Sequence, residues 1–251
     1  MKVTRYGPLI QVSFMPRLFP VNCYLIEEEE GCTLIDAALP YSAEGILRAA
    51  AETAGKPLTR IVLTHAHDDH IGALDALKAK HPEIPVYISA RDARLLEGDT
   101  TLDPGEAQTP IRGGVPKKVK TRADVLLADG DRVGSLQVVS SPGHTPGSIS
   151  LLDTRSGALI AGDAFQTRGG IAVSGMLRPL FPFPALATWS AEMALASARK
   201  LAALDPALLA VGHGRVIARP AEAMRRAIEQ AERKLGTAGK EGSRYVAKSG
   251  D

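Results

Sequence analysis

The chain holds six histidines, and three of them fall in one run of nine residues, Thr64-His65-Ala66-His67-Asp68-Asp69-His70-Ile71-Gly72. Two more, His144 and His213, stand beside glycine where an apolar run ends. Imidazole nitrogens and carboxylate oxygens are the donors of zinc-type centres, and hydrolytic centres keep a coordination position open for water. His65 and His67, spaced i, i+2 in extended chain, face one side and can share one ion. The turn that opens the next helix can aim Asp69 and His70 at a second ion about 3.5–4 Å away. The missing donors must come from afar. Three loops offer them: Pro142-Gly143-His144-Thr145-Pro146-Gly147, Ala161-Gly162-Asp163-Ala164 and Gly212-His213-Gly214. Glycine in each lets the backbone approach an ion closely. Asp68 reads as a solvated or supporting carboxylate rather than a ligand, and His81, before Pro82, as a surface residue.

The elements that must position these residues follow from hydrophobic periodicity. Strands are expected at 9–14, 22–27 and 32–37, with a solvated turn around Glu27 to Gly31. A helix over 41–54 puts Ile46, Leu47 and Ala50 on one face and stops at Gly55 and Pro57. A short apolar strand over 60–64 delivers the histidine run. A helix over 71–80, a strand over 85–89 and a helix over 90–97 follow, and this alternation argues for α/β architecture. Residues 98–121, with three prolines and four glycines, read as a flap near the site. Strands are expected at 125–127, 136–140, 149–152 and 158–161, then a long apolar loop over 164–184. A helix over 184–204, a strand over 207–211 and a helix over 220–235 complete the pattern, with Pro220 at a helix start where its missing N–H costs little. Residues 1–240 read as one domain and 241–251 as a polar tail.

Composition narrows the function. Thirty basic and 28 acidic residues give a formal charge of +2, mixed along the chain, which argues against a nucleic-acid or membrane surface. There is no signal-peptide pattern and no stretch near the roughly 20 apolar residues of a membrane span. Cys23 and Cys32 read as small buried strand residues rather than a disulfide framework. A cytoplasmic protein acting on a small molecule is the expectation, with a homodimer left open.

With these motifs in this order, the chain resembles the metallo-β-lactamase-fold hydrolase superfamily. Asn22-Cys23-Tyr24-Leu25-Ile26 and Leu34-Ile35-Asp36 look like its early strands, and the similarity runs from about residue 9 to 235. The resemblance implies an α/β fold, a four-layer αββα sandwich with metals at one edge between the sheets. It implies a first ion on His65, His67 and His144, a second on Asp69, His70 and His213, and Asp163 bridging them. Zinc is the default for such nitrogen and oxygen donors, and iron, manganese or cobalt also fit.

Such a centre lowers the pKa of a bound water from about 15.7 to about 7 and polarises a carbonyl. Asp69 would orient the resulting hydroxide and is the catalytic candidate; no serine nucleophile is needed, and Ser148 and Ser174 have plain loop or strand explanations. Two apolar loops, carrying Met15, Leu18 and Phe19 and then Met176, Leu177, Leu180, Phe181 and Phe183, favour an uncharged, partly apolar substrate. Phe19, Gln166 and Phe181 are the candidate substrate contacts; Arg17, Arg168 and Arg178 read as surface charges. The first expectation is hydrolysis of a carboxylic ester or lactone. A thioesterase of glyoxalase II type comes second, because Asp163 to Gly170 lacks that group's Gly-Cys-Gly-Arg segment. Gln166 stands where acyl-homoserine-lactone lactonases often carry tyrosine. A non-hydrolytic di-iron redox protein or a metal-retaining binding protein is the alternative from another class.

Overall fold

The computed structural model describes residues 1–246. Seven strands, β1 (Lys2–Tyr6), β2 (Leu9–Phe14), β3 (Val21–Glu27), β4 (Cys32–Ile35), β5 (Leu58–Val62), β6 (Val86–Ser89) and β7 (Val125–Leu127), form one sheet in chain order. Pairing is antiparallel through β4 and parallel from β4 to β7. Each parallel step needs a crossover, and helices supply them. Helix α1 (Ala43–Ala49), with a π-helical turn over Ala50–Ala54, joins β4 to β5. Helices α2 (Asp68–Ile71) and α3 (Leu74–Lys80) join β5 to β6, and α4 (Ala90–Leu96) with a long loop joins β6 to β7.

The second sheet has six strands: β8 (Arg132–Val133), β9 (Leu136–Ser140), β10 (Ile149–Asp153), β11 (Ala158–Ile160), β14 (Leu208–Ala210) and β15 (Ile217–Ala218). Its order is β15-β14-β11-β10-β9-β8, with only β11 and β14 parallel. Between β11 and β14 lie a small hairpin, β12 (Phe165–Gln166) and β13 (Ala172–Val173), and helices α5 (Phe183–Leu186) and α6 (Ala191–Ala202). Helix α7 (Ala221–Val246) follows β15.

Strands buried on both faces carry near-continuous apolar sequence, and here the period of two sorts it into layers. Ile10, Val12, Leu25, Leu34 and Ile61 face outward onto Ile46, Leu74, Leu77 and Leu95 of the helices. The alternate residues Leu9, Tyr24, Ile26, Ile35 and Val62 meet Leu136, Val138, Ile149, Leu151 and Ile160 of the other sheet. On the far side, Leu159 and Leu209 pack against Ala194, Ala198, Met224 and Ala231 of α6 and α7. The result is the four-layer αββα sandwich that the family resemblance implied.

Four local expectations are corrected. The edge strand β1 was unread; it pairs with β2 through five residue pairs. The helix expected over 184–204 is broken at Thr188–Ser190, because the Ser190 side chain caps α6 by accepting from Met193 N–H. The loop over 164–184 contains the β12–β13 hairpin. The last helix runs to Val246, past the expected end at Leu235, and takes in part of the polar tail; residues 247–251 of that tail lie outside the described residues. Cys23 and Cys32 are buried free thiols. Among the described residues, no helix is long and apolar enough to cross a membrane.

Candidate metal centre

Strand ends from both sheets converge at one edge of the sandwich. Beyond β5, Leu63 still bonds through its N–H to the Tyr87 carbonyl, and Thr64 then accepts the N–H of Ile149 through its own carbonyl, tying the histidine run to the second sheet. His144 lies between β9 and β10, Asp163 just after β11 and His213 just after β14. Gly212 has to be glycine at this junction: a Cβ there would lie 2.1 Å from Asp163 Oδ1.

Seven side chains from four segments meet here. His65, His67, His70, His144, Asp163 and His213 are all buried, and Asp69 is partly so. Their donor atoms form three sets, each within 4.8 Å: His65, His67 and His144; His65, His70 and Asp163; Asp69, His70 and His213. Asp163 lies between the sets, with Oδ1 3.4 Å from His70 Nε2 and Oδ2 3.4 Å from His144 Nε2 and 3.2 Å from His213 Nε2. Asp69 Oδ2 is 3.2 Å from His213 Nε2. Asp68 stays outside all three sets, and its N–H donates to the Gly114 carbonyl. His81 sits exposed beside Glu83.

The donor chemistry fits cations. His65 Nε2, His70 Nε2 and Asp163 Oδ1 are buried without a hydrogen-bond partner. Leaving such atoms unpaired costs about 1–3 kcal/mol each, and a cation would supply the partner they lack. His67 Nδ1 and His144 Nε2 face each other at 2.9 Å. The opposite nitrogen of each ring is engaged, His67 Nε2 by the Arg112 carbonyl at 2.8 Å and His144 Nδ1 by Ser174 Oγ at 3.1 Å. Both inner nitrogens therefore present lone pairs to the same point.

Electrostatics divide the cluster the same way. Burial holds His65 well below the usual histidine range, lowers His67 and takes His144 down to about 3. Burial also opposes charge on His70 and His213, but the carboxylates around them prevail. Asp163, Asp36 and Asp69 hold His70 well above its usual range, and Asp163 with Asp69 raises His213 to about 10. Burial works against ionised Asp163 too, yet His213, His70 and His144 keep its carboxyl well below the carboxylate range.

The sequence family described as the Metallo-beta-lactamase superfamily matches residues 16–213, a span that contains all seven side chains. The chain belongs to the metallo-beta-lactamase superfamily. It is 56% identical over 233 residues to the uncharacterized protein YobT of Bacillus subtilis, covering 93% of this chain and all of that one. It is 33% identical over 214 residues to the probable metallo-hydrolase YflN of the same organism, covering 77% of this chain and 80% of that one. Among solved structures it is similar to TTHA1623 in a di-iron-bound form, at 29% identity and a TM-score of 0.57, covering 85% of this chain and 96% of that one.

In this metallo-beta-lactamase fold each histidine is oriented by a group behind it, as metal-binding histidines generally are. His70 Nδ1 bonds Asp36 Oδ2 at 2.8 Å, and the same carboxylate accepts the Thr64 N–H and hydroxyl at 2.7 and 2.8 Å. Thr64 Oγ1 then accepts from His65 Nδ1 at 3.0 Å. His213 Nδ1 donates to the Pro20 carbonyl at 2.7 Å. Behind His144 runs a hydroxyl relay: Ser174 donates to Thr188 at 2.8 Å, and Thr188 to the Pro184 carbonyl at 2.7 Å, so His144 Nδ1 must be the donor to Ser174. Ser174 is therefore more than the plain strand residue expected.

Asp92 was not singled out at all. It is fully buried in the first turn of α4. Its carboxylate accepts from Ala66 N–H at 3.0 Å, from the Thr145 hydroxyl at 2.8 Å and from Gly147 N–H at 2.8 Å. One side chain thus pins the His65–His67 run to the loop that carries His144.

The loop over 98–121 is an anchored strap rather than a free flap. Its Arg112 carbonyl fixes His67, its Gly114 carbonyl fixes the start of α2, and Asp75 accepts the N–H groups of Lys120 and Thr121. Over the cluster, a cleft of about 330 Å³ is walled by Phe19, Phe183 and Leu186 opposite His67, His144 and His213. Two of the three expected contacts lie off this wall. Phe181 is buried beneath it, its ring 4.9 Å from that of Phe19 and 5.4 Å from that of His213, and Phe183 takes the exposed place instead. Gln166 is buried in β12, its backbone held in the hairpin with Ala172.

Proposed function

We propose that this chain is a binuclear metal-dependent hydrolase that cleaves a carboxylic ester or lactone of a small, partly apolar substrate. What carries the reading is the pairing of two complete donor sets with an apolar wall. Three neutral imidazole donors (His65, His67, His144) lie beside a set of two imidazoles and one carboxylate (Asp69, His70, His213), with Asp163 between them.

When bound, two divalent cations would lower the pKa of water toward about 7 and polarise the substrate carbonyl. The rest falls to the chain's own residues. Asp69, the one partly exposed member of the cluster, faces the cleft with a carboxylate anchored by His213. It is placed to hold a water by hydrogen bond and to carry its proton toward the leaving group. Phe19, Phe183 and Leu186 would seat the apolar part of the substrate and shed water from the cleft. Zinc suits the nitrogen and oxygen donors, and the di-iron form of TTHA1623 supports iron as the second choice.

A thioester is the second reading, since the same attack on a carbonyl carbon serves both bonds. The deciding experiment is metal analysis of the purified protein followed by a panel of aryl ester, lactone, thioester and β-lactam substrates. Turnover of esters or lactones with two metals bound is the expected result. Two metals with no ester, lactone or thioester turnover would sink the reading in favour of a redox or binding protein.

A further inference from the structure

A larger cavity, about 730 Å³, is also lined by Asp69 but by none of the phenylalanines. It shares Asp69, Gly113 and Gly114 with the metal cleft, so the two are arms of one groove. Its walls differ from those of the first arm: Leu39, Pro40 and Val119 line it together with Lys117 and Lys118 of the strap.

The charge of the strap is one-sided. Between Glu106 and Asp124 there is no acidic residue, while Arg112, Lys117, Lys118, Lys120 and Arg122 all fall within that stretch. Arg122 is paired with Glu97 at 3.3 Å. Among the described residues, neither Lys117 nor Lys118 forms an ion pair. The carboxylates on the cavity wall are Asp68 and Asp69, and Asp69 is already turned to His213 and the metal cluster. That leaves one other lining carboxylate, Asp68, against two lysines, an excess of positive charge beside the candidate cation centre. Such a wall attracts an anion and steers it to the cleft.

We infer that the Lys117–Lys118 arm is a subsite for an anionic group of the substrate, a carboxylate or phosphate carried on the far side of the scissile bond from the apolar part held by Phe19 and Phe183. This refines the expectation of an uncharged substrate: the molecule is amphipathic, apolar toward one arm and acidic toward the other. The assignment rests on the metal cleft being the reaction site. The strap that bears the lysines also bears the carbonyl that holds His67, so docking of the anion and the geometry of the centre depend on the same segment.

The test uses the full chain loaded with zinc and calorimetric titration with butyrate, glutarate and 4-phosphonobutyrate. Each has one carboxylate for the centre, and the last two add a second anion, which tells carboxylate from phosphate. The second anion is expected to tighten binding about tenfold at low salt. That gain is expected to shrink as ionic strength rises and to vanish in the Lys117→Ala/Lys118→Ala double variant. Equal affinity for butyrate and both dianions, or a gain that survives in the double variant, overturns the subsite. A parallel comparison of 4-nitrophenyl butyrate with its ω-carboxylate analogue separates the two levels. No turnover of either ester with the glutarate gain intact discards hydrolysis and keeps the subsite. Equal kcat/KM for both with no glutarate gain keeps hydrolysis and discards the subsite.

Discussion

Trp189 and Thr109 hold each other by a reciprocal pair of hydrogen bonds. The indole Nε1–H donates to the Thr109 carbonyl at 2.9 Å, and the Thr109 hydroxyl donates to the Trp189 carbonyl at 3.1 Å. The Trp189 N–H in turn donates to the His144 carbonyl at 3.0 Å. The strap and the His144 loop, far apart in sequence, are thereby joined through one residue.

Trp189 is the chain's one tryptophan, so its emission reports on this junction. Thr109→Val removes the hydroxyl and keeps the shape. It is expected to lower stability by about 0.5–1 kcal/mol, read as a lower urea midpoint followed by Trp189 fluorescence. An unchanged midpoint would show that the bond contributes nothing.

Asp92→Asn places an amide where three donors converge. The amide oxygen can serve two of them, and its NH2 group meets the third. A loss of about 1–3 kcal/mol is expected, together with weaker metal retention, because Ala66 and Thr145 flank the ligands that Asp92 ties together. Stability equal to the parent would remove Asp92 from the bracing of the site.

The same residue gives a pH dependence. Burial raises Asp92 from 3.8 to about 6, against the opposing pull of the Thr145 hydroxyl and the Ala66 and Gly147 N–H groups. Between those values the folded state binds the proton more tightly than the unfolded chain. Its contribution to stability is therefore fully present below about 3.8 and is lost as pH rises through about 6. In metal-free protein, the melting-temperature difference between the parent and Asp92→Asn is expected to move in favour of the parent on going from pH 7 to pH 4.5. A difference that stays flat across that window contradicts the assignment.

Gly113 has a φ of +92°, and a Cβ there would lie 2.6 Å from His67 Nε2. Gly113→Ala is expected to push the Arg112 carbonyl off His67 and cut metal affinity by roughly 10–100-fold, the usual cost of losing a group that orients a ligand. Competition against a chromogenic chelator measures it, with circular dichroism as the check on folding. Parental affinity in a folded variant would mean that the strap does not govern His67.

Removal of the metals should expose the unpaired atoms of the cluster. With cation at about 1,000 times its Kd, linkage adds about 4 kcal/mol, so chelation is expected to lower Tm by about 8–16 °C, reversibly on zinc addition. Asp163→Asn should halve the bound metal and lower turnover; two bound metals with full activity in that variant would count against a bridging role.

The legible part of this protein was the part written in side-chain type and local spacing. His65, His67, Asp69 and His70 crowd one turn, and His144, Asp163 and His213 each follow a strand beside glycine, so the sequence alone names the full cluster that the fold assembles. The strands were legible because those buried on both faces carry a strong apolar signal, while their stacking into four layers came from the family resemblance and not from the pattern. What escaped has other causes. Asp92 looks like any acid in the first turn of a helix, and only the fold shows three donors turned toward it. Arg112 acts through its backbone carbonyl, which no side chain announces. Ser174 and Thr188 matter as a relay whose members are distant in sequence. Phe181 and Phe183 are two residues apart, and the direction of a loop side chain is set by packing that neither residue encodes.

The cluster draws on both sheets, and its last donor, His213, arrives after β14, far behind the His65–His70 run in the chain. A ribosome releases the chain from its N-terminus, so the dense His65–His70 run emerges early and waits for partners still to be synthesised. The full donor set consequently forms only once residue 213 has emerged, and a chain truncated before it would carry the first sheet and most of its donors without ever closing the site.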